Sequence, residues 1–467
     1  MSETFDSIVV GAGQAGPALA VRLAKSGRRT AIVERGLLGG TCVNTGCTPT
    51  KTLIASARVA HMARRAKEYG VTLEGTPGFD LAKAMARKDE VVAHSRDGLA
   101  EWFAKIRGLT VIHGHARFEA PHRLRVGERV LEAREIFLDV GGRPGKPDFE
   151  GIEGVPYLTS SSILDLAELP RHLIVVGGSY VGLEFAQMFR RFGSEVTVVE
   201  KAPRLISRED EEVSRAVQEI LEEEGIHVRV GAECIRLAAD AAGVKVGLHC
   251  DREPREARGS HVLLAVGRTP NTDDLGLDRA GVKTDKRGQI QVDDELRTNV
   301  EGIWALGDAN GRGAFTHTAY NDHEIVAANL LDGVARRVTD RITTYALYID
   351  PPLGRAGMGE REARDTGRPV LVGHLPMDRV SRARERGEMK GFMKVLVDAE
   401  SERILGASLL GIEADEVIHS ILDVMYAKAS YTVIRDAVHI HPTVSELVPT
   451  MLGALRPLDR DSAPHDK

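Results

Sequence analysis

A strand, a glycine turn, a helix and a second strand ending in an acid occur twice in this chain, and that duplication limits the fold more than any other feature. Ile8-Val9-Val10 runs into Gly11-Ala12-Gly13-Gln14-Ala15-Gly16. A helical stretch from Pro17 to Ser26 stops at Gly27, and an apolar strand, Thr30 to Val33, ends in Glu34. Gly11 permits the tight turn, Gly13 lets a pyrophosphate approach the backbone, and Gly16 allows the helix to pack closely on the strand. Glu34 then stands where a carboxylate accepts hydrogen bonds from an adenosine ribose. The unit returns as Ile174-Val175-Val176-Gly177-Gly178-Ser179-Tyr180-Val181-Gly182, with Val196 to Val199 ending in Glu200. Gly11 and Gly177, Gly16 and Gly182, and Glu34 and Glu200 are each 166 residues apart. Ser179 replaces the middle glycine, which is tolerable if the pyrophosphate sits slightly further out. Two dinucleotide-binding modules in one α/β chain are the expectation.

Between the first unit and its repeat lies Gly39-Gly40-Thr41-Cys42-Val43-Asn44-Thr45-Gly46-Cys47-Thr48-Pro49-Thr50-Lys51, which holds two of the four cysteines. The glycines and Thr48-Pro49 read as a loop entering a helix with proline in its first turn. Cys47 is then expected at the helix N-terminus, where unpaired N–H groups and the dipole favour a thiolate. That helix should run toward Glu68, with Arg58, Arg64, Arg65 and Lys67 on a solvated face. Four cysteines in 467 residues do not make a disulfide framework, so a reducing compartment is expected.

Lysine plus arginine number 62 against 68 acids, a net charge of −6, which argues against a nucleic-acid surface. No run of about 18 apolar residues suggests a membrane span. Met1 to Asp6 leads into the first strand without a basic or apolar leader, so a cytoplasmic location is expected. Gly141-Gly142-Arg143-Pro144 reads as a turn leaving the first module, and Gly267-Arg268-Thr269-Pro270 closes the second similarly. Glu209-Asp210-Glu211-Glu212 reads as an acidic first helical turn, not a metal site, and no metal site is expected elsewhere. Cys234 and Cys250 read as buried thiols in strands. Ile303-Trp304-Ala305-Leu306-Gly307-Asp308 is a strand that ends in a carboxylate suited to a cofactor hydroxyl. From about Tyr345 alternating strands take over, with a hairpin formed by 391–397 and 404–410, followed by helices. The polar end, 459–467, is expected to be disordered. In His439-Ile440-His441-Pro442-Thr443-Val444-Ser445-Glu446, Glu446 can fold back onto His441, orient the ring and raise its basicity, which makes a general acid/base.

Taken together, these residues resemble the flavoprotein disulfide reductases of the pyridine nucleotide-disulfide oxidoreductase family, over nearly the whole chain. The resemblance implies two Rossmann-like dinucleotide-binding domains plus a C-terminal α+β dimerisation domain. Residues 1–150, completed by 272–340, would bind FAD, 151–271 would bind NAD(P), and 341–467 would form the interface of a homodimer. Gly11, Gly13, Gly16, Glu34 and Asp308 would hold the flavin nucleotide, and the second module, with Gly177, Ser179, Gly182 and Glu200, the nicotinamide nucleotide. Gly40, Thr41, Lys51 and Gly267 extend the cofactor-binding set. Cys42 and Cys47 would be the redox-active pair, Cys47 against the flavin ring and Cys42 facing substrate. Lys51 would pair with Glu184 beside the flavin, Tyr180 would gate the nicotinamide pocket, and His441 with Glu446 would serve the partner's Cys42.

An acid at Glu200 favours a ribose 2′-hydroxyl over a 2′-phosphate, so NADH is expected over NADPH, although Lys201 and Arg204 lie nearby. Tyr348-Ile349-Asp350-Pro351-Pro352-Leu353, Arg382-Ala383-Arg384 and Thr48-Pro49-Thr50-Lys51 resemble the mercuric-reductase-like subgroup. The stretch from Met451 to Lys467, however, has no cysteine pair for delivering metal. The expected activity is electron transfer from NAD(P)H through FAD to the Cys42–Cys47 disulfide and on to a small disulfide or a metal ion. Dihydrolipoamide dehydrogenase is one alternative, and a non-enzymatic flavin-binding redox sensor is another.

Overall fold

The computed structural model describes residues 2–75, 77–241, 243–249 and 255–458. Strand β1 (Ser2–Val10), helix α1 (Gly16–Lys25) and strand β2 (Thr30–Glu34) form the first unit. They belong to a seven-stranded sheet in which β1 lies between β2 and Arg129–Leu138, all parallel. Ile303–Ala305 returns from far along the chain to pair in parallel with Arg129–Leu138. The second unit has its own four-stranded parallel sheet, in the order His227–Arg229, Glu195–Val199, His172–Val176, His261–Leu264. Val10 faces Val33 across the first strand pair and Val176 faces Val199 across the second, so the two units share one register. A three-stranded antiparallel sheet spans 233–259, and a six-stranded antiparallel sheet is built from 344–457. The fold is α/β with two Rossmann-like modules and a C-terminal α+β region.

The repeats extend to hydrogen bonds. Glu34 accepts from the Ala12 and Gly36 amides at 2.8 and 2.7 Å, and Glu200 accepts from Gly178 and Ala202 at 2.6 and 2.7 Å. Gly11 has φ +105° and Gly177 φ +118°, in the region that disfavours a side chain. A Cβ on Gly16 would lie 2.2 Å from the Gly11 carbonyl, and one on Gly182 would lie 2.0 Å from that of Gly177. Neither helix could then pack where it does.

Several expectations change. The segment before Cys47 is a short helix, α2 (Gly40–Thr45), not a loop; Gly46 breaks it from α3 (Cys47–Arg64). α3 ends at Arg64, and a 3-10 turn, Ala66–Tyr69, covers the rest of the expected length. Lys67 is exposed, but the arginines of α3 are not a free face. Arg58 donates to Asp350 and Glu388 at 2.6 and 2.7 Å, and Arg64 and Arg65 donate to the carbonyls of Arg191 and Gly387. The two Gly-Arg-Pro-type exits are not separate turns: Gly142–Pro144 and Arg268–Pro270 pair as an antiparallel ribbon. The hairpin forms from Phe392–Asp398 and Ile404–Leu410. Cys234 falls in the strand Glu233–Asp240, while Cys250 and 459–467 lie outside the described residues.

The acidic run also proves more than a helix start. The helix is Glu211–Glu223, but Asp210 and Glu212 join Glu360 around the Lys394 ammonium at 2.8, 3.4 and 2.7 Å. Burial pushes the Lys394 ammonium down, yet Asp210 and Glu360 outweigh it and hold it above its ordinary value. Removing that charge strands three carboxylates between the second module and the C-terminal sheet. Lys394→Met should therefore lower the apparent melting temperature of the holoprotein by roughly 5 °C or more, as read by differential scanning fluorimetry. Lys390→Met, which removes the exposed pair with Glu223, should shift it by less than about 1 °C.

Candidate active site

Helix breaks and helix starts place the reactive side chains. Gly46 separates α2 from α3, so Cys42 sits within α2 and Cys47 begins α3, with Pro49 in its first turn. A Cβ at position 46 would lie 2.8 Å from the Thr41 carbonyl, which leaves room only for glycine between the two thiols' backbones. Both cysteines are free thiols, and both line a cavity of about 920 Å3. A hydrogen bond joins them, and Cys47 Sγ also lies 3.3 Å from the Thr316 hydroxyl.

The two thiols are unequal. The Cys42 hydrogen bond is the largest influence on Cys47 and lowers it; the Thr316 hydroxyl and the Lys51 charge add to the effect, while burial and Glu184 oppose it, and the thiol is brought down to about 6. The same hydrogen bond, with burial and the Cys47 charge, pushes Cys42 above the ordinary thiol range. At neutral pH the pair is thus a Cys47 thiolate receiving a proton contact from a Cys42 thiol.

Lys51, one helical turn on, binds Glu184 at 2.6 Å, and the other Glu184 oxygen accepts the Tyr348 amide at 3.0 Å. The ammonium lies 4.6 Å from the centre of the Tyr348 ring. Glu184 is 6% exposed and stands on the helix Tyr180–Phe192 of the second module. Tyr180, at the start of that helix, also lines the large cavity. Its hydroxyl donates to Glu209 at 2.8 Å, as does that of Tyr345 at 2.5 Å, and Arg355 pairs with Glu209 from the far side at 3.3 Å. Asp308, in a 3-10 turn just after Ile303–Ala305, faces the cavity and pairs with Arg268 at 3.3 Å. His317 lines it too, with its ring bonded to the Thr344 carbonyl at 2.8 Å.

A second cavity, of about 300 Å3, is lined by Gly11, Gly13, Glu34 and Gly40. It shares Thr41, Thr45, Asp139 and Gly141 with the large one, so the two are continuous in their walls. The close approach of Gly40 to Gly13, where a Cβ would come 2.7 Å from Cα, keeps this channel's floor bare of side chains. The residues present fit an extended dinucleotide such as FAD, since Glu34 and the glycine turn line one cavity, Cys47 and Lys51 line the other, and the two share walls. Gly177, Ser179, Gly182 and Glu200 stand together at the corresponding turn of the second module, and Gly267 lies between the strand beside it, His261–Leu264, and Arg268–Pro270.

His441 and Glu446 are paired at 2.9 Å, but neither lines the cavity that holds Cys42. His441 is 73% exposed, and Ile440 and Val438 beside it are uncovered. Thr316 and Asp139 escaped the sequence reading, and Glu209 reads there only as part of an acidic helix start, not as a partner of Tyr180 and Tyr345. For Thr316 and Glu209 no local pattern marks the contact. Asp139 carried a signal, since it directly follows an apolar strand, the same pattern that singles out Asp308 in the sequence.

Alkylation of the reduced protein by iodoacetamide should show Cys47 reacting with an inflection near about pH 6 and staying reactive as pH rises, because the thiolate forms above the lowered value. Thr316→Val should move that inflection up by roughly one unit, read by mass spectrometry of the modified peptide.

Comparison with known proteins agrees with this geometry. The family model described as pyridine nucleotide-disulphide oxidoreductase matches residues 5–322, and that of the same family's dimerisation domain matches 343–452. A probable pyridine nucleotide-disulfide oxidoreductase, RclA of Escherichia coli, is 36% identical over 451 residues, covering 95% of this chain and 97% of that protein. A mercuric reductase of Streptomyces lividans is 33% identical, covering 89% and 88%. A dihydrolipoyl dehydrogenase of Bacillus subtilis is also 33% identical, covering 94% and 96%. The solved Cu(II) complex of the HOCl-induced flavoprotein disulfide reductase RclA superposes with a TM-score of 0.88 at 35% identity, covering 96% of this chain and all of that one. This chain belongs to the pyridine nucleotide-disulfide oxidoreductases, an FAD-dependent family that uses a pyridine nucleotide and acts on disulfides or metal ions.

Proposed function

We propose that this protein is an NADH-preferring, FAD-dependent reductase of the mercuric-reductase-like subgroup, working as a homodimer on a small disulfide or a metal ion. The observation that carries this reading is the unequal thiol pair at the α2–α3 break, facing a cavity that also receives Lys51, Glu184 and Tyr180. FAD, when bound, supplies a two-electron relay between the nicotinamide and the Cys42–Cys47 disulfide. Residues 1–150 with 272–340 would hold it, 151–271 the nicotinamide nucleotide, and 341–467 the dimer contact.

The dithiol chemistry follows from the pair's asymmetry. Cys47, at the helix N-terminus with Thr316 and Lys51 near it, carries the negative charge. Cys42 keeps its proton and needs a base before it can attack. The partner subunit's His441, oriented by the partner's Glu446, is the group proposed to take that proton. The Cys42 thiolate attacks one sulfur of the acceptor disulfide; the bond between the acceptor sulfurs breaks, and the first thiolate leaves with the proton held by the imidazolium. The Cys47 thiolate then attacks Cys42 Sγ, closing the intramolecular disulfide and releasing the second thiolate. The acceptor gains two electrons and the dithiol loses them. With a metal ion, the two thiolates would instead ligate it and stay reduced, and the electrons it gains would be those given up by the nicotinamide nucleotide and relayed by FAD.

Glu200 supports NADH. Its two oxygens are fixed by the Gly178 and Ala202 amides and keep lone pairs for ribose hydroxyls. Arg204, a candidate for a 2′-phosphate, is turned to the carbonyls of Ser207 and Glu209. kcat/KM with NADH should exceed that with NADPH by at least about tenfold in steady-state assays, and the reverse order would overturn the assignment.

The His441–Glu446 pair also favours a second reading, dihydrolipoamide dehydrogenase, because it suits a dithiol partner. Anaerobic NADH turnover across lipoamide, glutathione disulfide, other small disulfides, Hg(II) and Cu(II), run beside Cys42→Ser, separates the readings. Loss of turnover in Cys42→Ser with a preferred acceptor other than lipoamide is expected; robust NAD-dependent oxidation of dihydrolipoamide would sink the first reading. Retention of full turnover by Cys42→Ser would indicate a thiol-independent oxidase, and a flavin that NADH cannot bleach would indicate a redox sensor. Mixing Cys42→Ser and His441→Ala dimers should restore up to about one quarter of wild-type activity in the mixture, because about half the dimers are hybrids with one complete site each, if each site draws on both subunits.

A further inference from the structure

Asp139 stands at the carboxyl end of Arg129–Leu138, the strand next to β1, and is 5% exposed. Its Oδ2 accepts the Gly16 amide at 2.8 Å, at the start of α1. Side chains at three glycines would press on this carboxyl: a Cβ on Gly13 or Gly16 would lie 3.0 Å from Oδ2, and one on Gly307 would lie 3.1 Å from Oδ1. The carboxyl is thus wedged under the glycine turn, between it and the segment that carries Asp308. It lines both cavities, at the place where their walls join. Among the described residues, no hydrogen bond reaches Oδ1 and no basic side chain pairs with Asp139.

The second module supplies a built-in comparison. Ala265 takes the corresponding place: its amide bonds to the Val176 carbonyl at 2.8 Å, as that of Asp139 bonds to Val10, and its carbonyl closes on Gly177 as that of Asp139 closes on Gly11. The glycine turn and helix start therefore form without a carboxyl. The acid is an addition to the first module alone.

We propose that Asp139 is a ligand of the FAD diphosphate, acting as a neutral carboxylic acid that accepts from the Gly16 N–H through Oδ2 and donates from Oδ1 to a phosphate oxygen. This rests on the FAD assignment. A carboxylate here would meet the diphosphate's negative charge with no cation to offset it. The surroundings push the same way: burial is the largest influence and raises Asp139 well above the usual carboxylate range, the Gly16 amide opposes it, and Asp308, Asp322 and Glu34 raise it further. The nearby guanidinium groups are committed elsewhere, Arg268 to Asp308 and Arg341 to Asp322. Protonation turns the carboxyl from a repeller of phosphate into a donor. FAD retention then depends on a single proton and weakens as pH rises through the raised value, while nicotinamide binding at the Ala265 module carries no such dependence.

The test measures FAD retention by the holoprotein, using ultrafiltration and flavin fluorescence, between about pH 6 and about pH 10, for wild type, Asp139→Asn and Asp139→Ala. The wild-type Kd for FAD should rise toward about tenfold per pH unit once the carboxyl titrates. Asp139→Asn, whose amide donates at every pH, should hold FAD as tightly as wild type at the acid end and show no slope. Asp139→Ala should bind at least about tenfold more weakly at the acid end. A flat wild-type profile, an Asn variant that follows the wild-type slope, or an Ala variant that retains FAD like wild type would each overturn the proposal. Infrared spectra give a readout that needs no well-folded variant: the carbonyl stretch of a protonated carboxylic acid should be present in wild-type holoprotein at neutral pH and lost at the alkaline end with the FAD, and its absence at neutral pH overturns the proposal. A preparation that holds no flavin at any pH would instead defeat the cofactor assignment itself.

Discussion

Glu184 ties three parts of the chain to one point. One oxygen takes the Lys51 ammonium from α3, the other takes the Tyr348 amide just past the first strand of the C-terminal sheet, and the residue itself belongs to the first helix of the second module. Lower on the same helices, Arg58 and Arg191 both reach Asp350, and Arg191 also holds Glu224 at 2.7 Å. Breaking either partner of such half-buried pairs leaves a charge that the interior cannot solvate. The position of the thiols relative to the second module is therefore set by ion pairs that run from α3 outward, not by the loop around the cysteines.

This arrangement explains how one cation serves two ends. Lys51 neutralises Glu184 while its charge still lowers the Cys47 thiol, and Glu184 acts in the opposite sense. Tyr348, whose ring receives the ammonium and whose amide receives the carboxylate, keeps both side chains from turning away. Electrostatic support for the thiolate is then a small difference between near neighbours, with the Cys42 hydrogen bond, followed by the Thr316 hydroxyl, providing the larger part.

What the sequence made legible was what is encoded within about thirty residues. The glycines, the acids at Glu34 and Glu200, the α3 start at Cys47 and the His441–Glu446 pair all follow from local backbone geometry, and each is where the spacing puts it. What it hid depends on partners far along the chain. Arg58 looked like a solvated residue because Asp350 is 292 positions away, and Lys394 gave no hint of the three acids around it. The acidic run at 209–212 read as a dipole match because that is the local physics; its buried role comes from the C-terminal sheet. Cys42 read as a loop residue because six residues between glycines carry no helical periodicity to detect.

The paired strands Gly142–Pro144 and Arg268–Pro270 have a further bearing on how such a chain is put together. Everything from 145 to 267 leaves and re-enters through neighbouring strands, so the backbone on either side is already joined before that segment is considered. Arg268 reinforces the joint by donating to the Gly142 carbonyl, and Arg143 does so by holding Asp273. A nucleotide module whose two ends meet behaves as a cassette. It can lengthen, shorten or diverge in its loops without disturbing the parallel register of β1 with Arg129–Leu138 and Ile303–Ala305. A second unit placed on such a neck can differ from the first by a single side chain, as Ala265 differs from Asp139.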